Sequence, residues 1–363
     1  MSVVRRLFSD FWRSMKKDIF DRKHYDFGVP GELIAQVPVS PRDSSRLLTI
    51  DRQTGAIGES RFSGIVDFLR QGDVLVLNNT KVIKARLIAR RTSGAKFEVL
   101  LLKKIEKGIW EVLVKPGKRA KIGDNIVFGG EGKLKATVLD HTPAGGRILK
   151  FVPEDFDDSL DSLGQVPLPP YIKKDIDDSS KYQTVFAKNE GAIAAPTAGL
   201  HFTESLLKKI QDKGVKIIYI TLHCGLATFK PVKTSDIRDH KIESEWIEVD
   251  SAVAEIINKA KSQSRRIIAV GTTAIRSLES AASLDSCKNV YINPFFGETN
   301  LYITPGYKFN IIDGVITNFH TPYSTNLILI SSFCGRPLVA TAYKYAIDKN
   351  FRFYSFGDAT LII

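Results

Sequence analysis

Two patterns of hydrophobic and polar positions divide the chain. Between Asp73 and Phe151 the runs DVLVLNN, VIKARLIARR, KFEVLLLKKI, IWEVLVKPG, DNIVFG, LKATVLD and GRILKF follow one another at short intervals, broken by Gly, Asn and Pro. Such spacing predicts an antiparallel sheet or small barrel, and the alternation in KFEVLLL and LKATVLD gives its strands one wet face. From Thr203 the period changes. TESLLKKIQDKG places Thr203 as a helix cap, Leu206, Leu207 and Ile210 on one face, and Gly214 as the stop. The strand VKIIYITLH, the helix SAVAEIINKAKSQ, the strand RRIIAVG and the turn-plus-helix GTTAIRSLESAA follow. That alternation predicts an α/β unit with parallel strands.

Between the two patterns lies PLPPYI, Pro167 to Ile172, whose prolines favour an extended connector. A boundary near residue 168 follows, and the acidic DIDDSS segment after it reads as a mobile loop. The expected organisation is an extension over residues 1–20, a discontinuous α/β catalytic domain over 21–80 and 168–363, and an inserted β-barrel over 81–167. In the extension, Val4, Leu7, Phe8, Phe11, Trp12 and Met15 repeat at helical spacing beside Arg5, Arg6, Arg13, Lys16 and Lys17. An amphipathic helix of this kind suits a targeting or membrane-surface role. The preferred reading is a dispensable extension, with Met15 as an alternative start.

The 363 residues carry a formal charge of +12, from 52 Lys and Arg against 40 Asp and Glu, which favours a polyanionic partner such as nucleic acid. Cys224, Cys287 and Cys334 form no CxxC pair and are odd in number. They argue against a disulfide framework or structural zinc and for a reducing, cytoplasmic compartment. No run of eighteen apolar residues exists, so neither a spanning helix nor a membrane partner is expected.

Four of the six histidines, His201, His223, His240 and His320, sit in turn-like or strand-end segments rich in Gly, Pro, Thr and Ser. Catalytic groups concentrate where strands run out into loops. Glu243, Glu245 and Asp358 add carboxylates, but no HxxxH or HExxH spacing occurs and no metal site is expected. The strand RRIIAVG runs into Thr272, Thr273 and a helix bearing Arg276 and Glu279, which offers amides and hydroxyls to an anion at a helix N-terminus. GxGxxG and GxxxxGK[ST] loops are both missing, so ordinary dinucleotide or nucleoside-triphosphate binding has no support.

The segments ELIAQVPVSPRDSSRLL, PLPPYIKK, KYQTVFAK, AAPTAGLHFT, TLHCGLATFKPV, RIIAVGTTAIRSLE, DGVITNFH and RFYSFGDATLI occur in an order that resembles one family from about Tyr25 onward. It is the S-adenosylmethionine:tRNA ribosyltransferase-isomerase family of queuosine synthesis. The resemblance implies an α/β barrel-like domain with an inserted small antiparallel β-barrel. It also implies transfer of the donor's ribosyl moiety to 7-aminomethyl-7-deazaguanine at the tRNA wobble position, giving epoxyqueuosine with release of adenine and methionine. S-adenosylmethionine is then a co-substrate, with no tightly bound cofactor, and the chain is expected to work as a monomer on tRNA.

The sulfonium acidifies the C5′ hydrogens, so a modest base suffices to form an ylide, and ring opening then expels adenine, which needs a proton. His201, His223, His240, Glu245 and Asp358 are interchangeable candidates for these proton transfers. Thr197, Thr272, Thr273, Arg276, Glu279, Asn318 and His320 are the candidates for binding substrate. Three departures from the family pattern stand out: Glu243 replaces the second His of HxMH, Ala227 the second Gly of GLGTF, and Thr360 the Met of GDAML. A non-catalytic RNA-binding protein or a degenerate homologue is the alternative.

The extension yields a direct test. Deleting residues 1–14 should leave melting and turnover unchanged. A helix docked on the core would instead cost stability, and a lipid-binding one would make the full-length chain, but not the truncated one, co-sediment with anionic vesicles.

Overall fold

The computed structural model describes residues 19–363 apart from 92, 93, 95, 118, 119, 130, 131, 133, 144, 175, 177 and 226–229. The apolar repeat of the extension therefore lies outside the described residues, as do Ala227 and most of the GLATF segment, and Asp175 and Asp177 of the acidic loop. The chain is already docked where its description begins. Ile237 donates its amide to Phe20 O at 2.9 Å, and the Tyr25 hydroxyl donates to Ile19 O at 2.7 Å.

A nine-stranded mixed sheet forms the larger layer. Its strands run in the spatial order Phe295–Thr299, Glu245–Val249, Lys216–Leu222, Val74–Asn78, Ile267–Val270, Gly314–Asn318, Ala359–Ile362, Arg46–Ile50 and Ile57–Arg61. The four strands from Lys216–Leu222 to Gly314–Asn318 are mutually parallel, and antiparallel pairs flank them. Every residue of Val74–Asn78, Ile267–Val270 and Gly314–Asn318 is buried, as parallel strands covered on both faces require. Alternation sorts them. Val74, Val76 and Ala269 join the core on one face, while Leu75, Leu77, Ile268 and Val270 join the other, with Phe62, Phe202 and Ile210.

DVLVLNN thus belongs to the centre of this sheet, although by pattern it reads as the first of the β-rich runs. Unbroken burial removes the alternation that separates a central parallel strand from a barrel strand. The helices match their punctuation. Thr203 caps Glu204–Asp212 through Leu206 N at 3.2 Å, Asp250 caps Ser251–Ser262 through Val253 N at 2.7 Å, and Gly214 leaves the first helix at φ +85°.

Between Asn78 and Pro167 the chain builds a closed antiparallel barrel. The ring runs through Arg86–Arg91, Lys96–Glu106, Ile109–Lys115, Arg147–Val152, Leu134–His141 and Asn125–Phe128, and it closes by pairing the first strand with the last. Phe97, Val99, Leu101, Val112, Ile126, Leu134, Val138, Leu149 and Phe151 fill a core separate from that of the sheet. Arg147, 9% exposed, is the buried charge of this module. Its Nε donates to Ala120 O at 3.0 Å, Nη1 to Gly145 O and Gly146 O at 3.1 and 2.8 Å, and Nη2 to Gly117 O at 2.7 Å. Four carbonyls from two loops are satisfied by one guanidinium, which is how a buried cation is tolerated without a carboxylate.

Arg147→Met should therefore strand these carbonyls and cost about 2–4 kcal/mol of stability. Thermal melting checks this. A change of less than about 0.5 kcal/mol would show that the two loops find other donors.

Candidate active site

A cavity of about 250 Å³ opens where three of the parallel strands end. Lys216–Leu222 leads to Cys224, Ile267–Val270 to Gly271, Thr272 and Thr273, and Gly314–Asn318 to Phe319, His320, Thr321, Pro322 and Ser324, and these residues beyond the strand ends line it. Carboxyl ends of parallel strands are where an α/β sheet leaves room for a ligand. The described wall also includes Pro170 and Tyr171 of the PLPPYI connector, Tyr182, the stretch Ala195–Ala198, Pro231, Thr317, Asn318, Asn326, Tyr354 and Ser355.

Gly271 makes the sharp change from strand to helix at φ +83°, a conformation that side chains disfavour. The helix that follows, Gly271–Ala281, has no side-chain cap. Its first-turn amides and the Thr273 hydroxyl, which is buried without a partner among the described residues, are left at the cavity wall.

Asn318 ties the wall together. Its Oδ1 accepts from Thr197 Oγ1 at 2.9 Å, and its Nδ2 donates to Tyr354 O at 3.2 Å and to His201 Nε2 at 3.0 Å. Because the amide nitrogen can only donate, His201 Nε2 must be the bare nitrogen, and the proton sits on Nδ1, facing Ser45 Oγ at 2.9 Å. His201 is 5% exposed and stacks on Phe62 with ring centroids 5.0 Å apart. Burial, then Arg42 and Arg352, push its pKa down to about 3, so it is neutral. Both ring nitrogens are occupied, and His201 stands one hydrogen bond behind the cavity.

His320 lines the cavity itself. Its Nε2 lies 3.0 Å from Thr317 Oγ1, its amide donates to the Tyr343 hydroxyl at 2.6 Å, and burial pushes its pKa down to about 3. Among the described lining residues it is the only imidazole, and none is a carboxylate, lysine or arginine.

The remaining candidates divide by what their atoms already hold. Glu245 is ion-paired with Arg276 and accepts from Gly225 N at 2.8 Å, which fixes the backbone beside Cys224. Arg276 also donates to Leu301 O at 3.1 Å. Glu279 accepts from the Tyr307 hydroxyl and from the amides of Asn310, Ile311 and Ile312 at 2.9–3.3 Å, so it pins that loop. Asp358, 2% exposed, accepts from Arg46 N at 2.9 Å and Arg352 N at 2.8 Å, although burial raises its pKa. His223 Nδ1 meets Thr80 Oγ1 at 2.8 Å, and His240 packs edge-on to Tyr302 with centroids 5.5 Å apart. None of these residues lines the cavity, whereas Thr197, Thr272, Thr273, Asn318 and His320 all do.

Two of the departures from the family pattern are seen in place. Glu243 is exposed and pairs with Lys230 at 2.5 Å, and Thr360 Oγ1 donates to Thr317 O at 3.1 Å beneath the site. Tyr171, Tyr182, Tyr354, Ser355 and Thr317 went unmarked as site residues in the sequence. The only signal for the tyrosines was their presence in PLPPYIKK, KYQTVFAK and RFYSFGD.

Comparisons with known proteins agree with this arrangement. The family described as queuosine biosynthesis protein matches residues 22–362. The S-adenosylmethionine:tRNA ribosyltransferase-isomerase of Halothermothrix orenii is 51% identical over 343 residues, covering 94% of this chain and 99% of the relative. That of Caldanaerobacter subterraneus subsp. tengcongensis is 53% identical over 344 residues, with the same coverage. The crystal structure of the S-adenosylmethionine tRNA ribosyltransferase of Thermotoga maritima, 37% identical, covers 94% of this chain and 100% of its own, with a TM-score of 0.54.

The buried imidazoles give the fold a pH dependence with a definite sign. The unfolded chain takes up protons on His201 and His320 below about pH 6.5, while the folded chain stays neutral there until about 3. Their stability contribution is therefore complete above 6.5 and falls as pH drops toward 3, by up to about 1.4 kcal/mol per pH unit for each residue. Melting temperature should decline from pH 7 to pH 5, and less steeply in His201→Gln. An equal slope in the variant would contradict the buried, neutral assignment.

Proposed function

We propose that this chain, which belongs to the queuosine biosynthesis protein family, is a tRNA-modifying transferase-isomerase. It moves the ribosyl moiety of S-adenosylmethionine onto 7-aminomethyl-7-deazaguanine at the tRNA wobble position, forming epoxyqueuosine-tRNA and releasing adenine and methionine. One observation carries the reading: APTAGLH, VGTTAIR and TNFH, far apart in the chain, converge on a single cavity at the carboxyl ends of parallel strands. The relatives at 51% and 53% identity, named for this activity, support it.

The uncapped first turn of the Gly271–Ala281 helix suits the donor's carboxylate, with Thr272, Thr273 and the Thr273 hydroxyl as donors. His320 is the base. It is the imidazole among the described wall residues; burial holds it unprotonated but also weakens it as a base, and the acidity that the adjacent sulfonium gives the C5′ proton offsets that weakness. The electron pair left on C5′ expels O4′ from C4′, opening the ring to a vinyl sulfonium; O4′ then forms a carbonyl at C1′ as the C1′–N9 pair leaves with adenine, which is protonated as it departs. The neutral aminomethyl group then adds to C4′ of the vinyl sulfonium and returns an electron pair to C5′; that carbon attacks the C1′ carbonyl to form the C5′–C1′ bond, the alkoxide formed at C1′ displaces methionine from C5′ to close the epoxide, and the amine's surplus proton is lost.

Around this centre His201 holds Asn318, and Glu245 with Arg276 holds Gly225, so these act by positioning. Asp358 does the same for the amides of Arg46 and Arg352. The charge of +12 suits a tRNA partner. The protein works as a monomer in the cytoplasm and needs no resident cofactor. Among the described residues, no helix is long and apolar enough to cross a membrane.

Purified protein given S-adenosylmethionine and tRNA bearing the aminomethyl base should release adenine and methionine in equal amounts, and none with unmodified tRNA. His320→Ala should lower turnover by about 10²–10⁴-fold with a small change in melting. S-adenosylhomocysteine as the product, or no adenine at all, would overturn the reading.

A further inference from the structure

The described wall of the cavity offers a cationic ligand no carboxylate, yet it gathers three tyrosines from three separate segments, Tyr171, Tyr182 and Tyr354. The rings of Tyr171 and Tyr354 lie 5.0 Å apart, centroid to centroid, at 56°. Each ring is held firmly. The Tyr171 hydroxyl is 2.7 Å from Ser355 Oγ, and Tyr182 packs edge-on to Phe356 with centroids 5.9 Å apart. Tyr354 sits at φ +70°, in the left-handed region that bulky residues avoid, and its carbonyl accepts from Asn318 Nδ2 at 3.2 Å and Gly357 N at 2.9 Å. A strained backbone held by two hydrogen bonds beside a cavity is one whose side-chain direction matters.

Tyr182 adds a second observation. It is fully buried and lines the cavity, and its hydroxyl, which lies near the Ala195 backbone and the Ser355 side chain, makes no well-formed hydrogen bond among the described residues. A buried hydroxyl without a well-formed hydrogen bond is destabilising, and a ligand acceptor would remove that cost. Burial also raises the pKa of all three phenols, so they present neutral rings and no phenolate.

We propose that Tyr171, Tyr182 and Tyr354 form an aromatic cage that recognises the positive sulfur of a sulfonium ligand through their ring faces, while the Tyr182 hydroxyl donates to an acceptor on the ligand's neutral nucleoside part. A sulfonium is a diffuse onium charge, and ring quadrupoles stabilise such charges in a desolvated site where a carboxylate would neutralise them. A carboxylate would also weaken the acidity of the neighbouring C–H bonds. Aromatic rings hold the cation and leave that acidity intact. Once the sulfonium becomes a neutral thioether, the attraction is gone, which favours release of methionine. This inference rests on the function proposed above.

The test compares binding of S-adenosylmethionine with that of its neutral thioether counterpart, S-adenosylhomocysteine, by calorimetry on the full chain. The wild type should prefer the sulfonium by about tenfold or more. Tyr171→Leu and Tyr182→Leu should each cut that preference at least threefold, whereas Tyr171→Phe should retain it. Tyr182→Phe should keep the preference but weaken both ligands alike, by about three- to tenfold, through loss of the hydroxyl. Melting curves confirm that each variant is folded. A wild-type preference near one, or Leu variants that retain the full preference, would overturn the cage. Adenine release by the wild type on modified tRNA separates the two proposals. Release without charge preference removes the cage and leaves the function, and charge preference without release does the reverse.

Discussion

The carboxamide of Asn318 is the constraint on which the site depends. It uses both its hydrogens and its oxygen on three partners, Thr197, His201 and the Tyr354 carbonyl, which belong to segments that meet only in the fold. Because an amide has fixed donor and acceptor ends, this one group sets the His201 tautomer, the direction of the Thr197 hydroxyl and the carbonyl of a strained tyrosine together. A buried network of this kind is stable only when every member is satisfied, and here the central members are.

The same economy governs charge. Carboxylates near the centre are spent on structure: Glu245 on Arg276 and Gly225, Glu279 on a loop of amides, and Asp358 on two backbone amides. Among the described residues the cavity is left with hydroxyls, amides, a thiol, aromatic rings and one neutral imidazole. Such a surface is suited to a ligand that brings its own charges, because no charged side chain among the described wall residues competes with them and the low local dielectric strengthens each contact. The large sheet supplies rigidity through strands buried on both faces, while the barrel keeps a separate core with its own buried cation, Arg147.

Much of the local architecture was legible in the chain. Thr203, Gly214 and the Ser251–Ser262 helix followed from capping and period, which act over a few residues. The barrel strands followed from alternation, and the family resemblance picked out the segments whose convergence makes the cavity. Val74–Asn78 reads by pattern with the barrel runs, because a strand covered on both faces carries no period to place it in one sheet or the other, although the bounds 21–80 keep it in the α/β domain.

Tertiary structure decided which polar residues face a ligand and which face the protein. His201, His320 and Asp358 all stand in motifs with acid–base chemistry available, and their sequences alone do not rank them. The fold gives His201 and Asp358 internal partners and leaves His320 in the wall. Tyrosines 171, 182 and 354 were invisible as a set, since an aromatic residue looks the same in a core as in a cage. Composition and period record what is buried and what repeats; the direction of a hydrogen bond between residues 117 positions apart, such as that from Asn318 to His201, exists only once the chain has closed on itself.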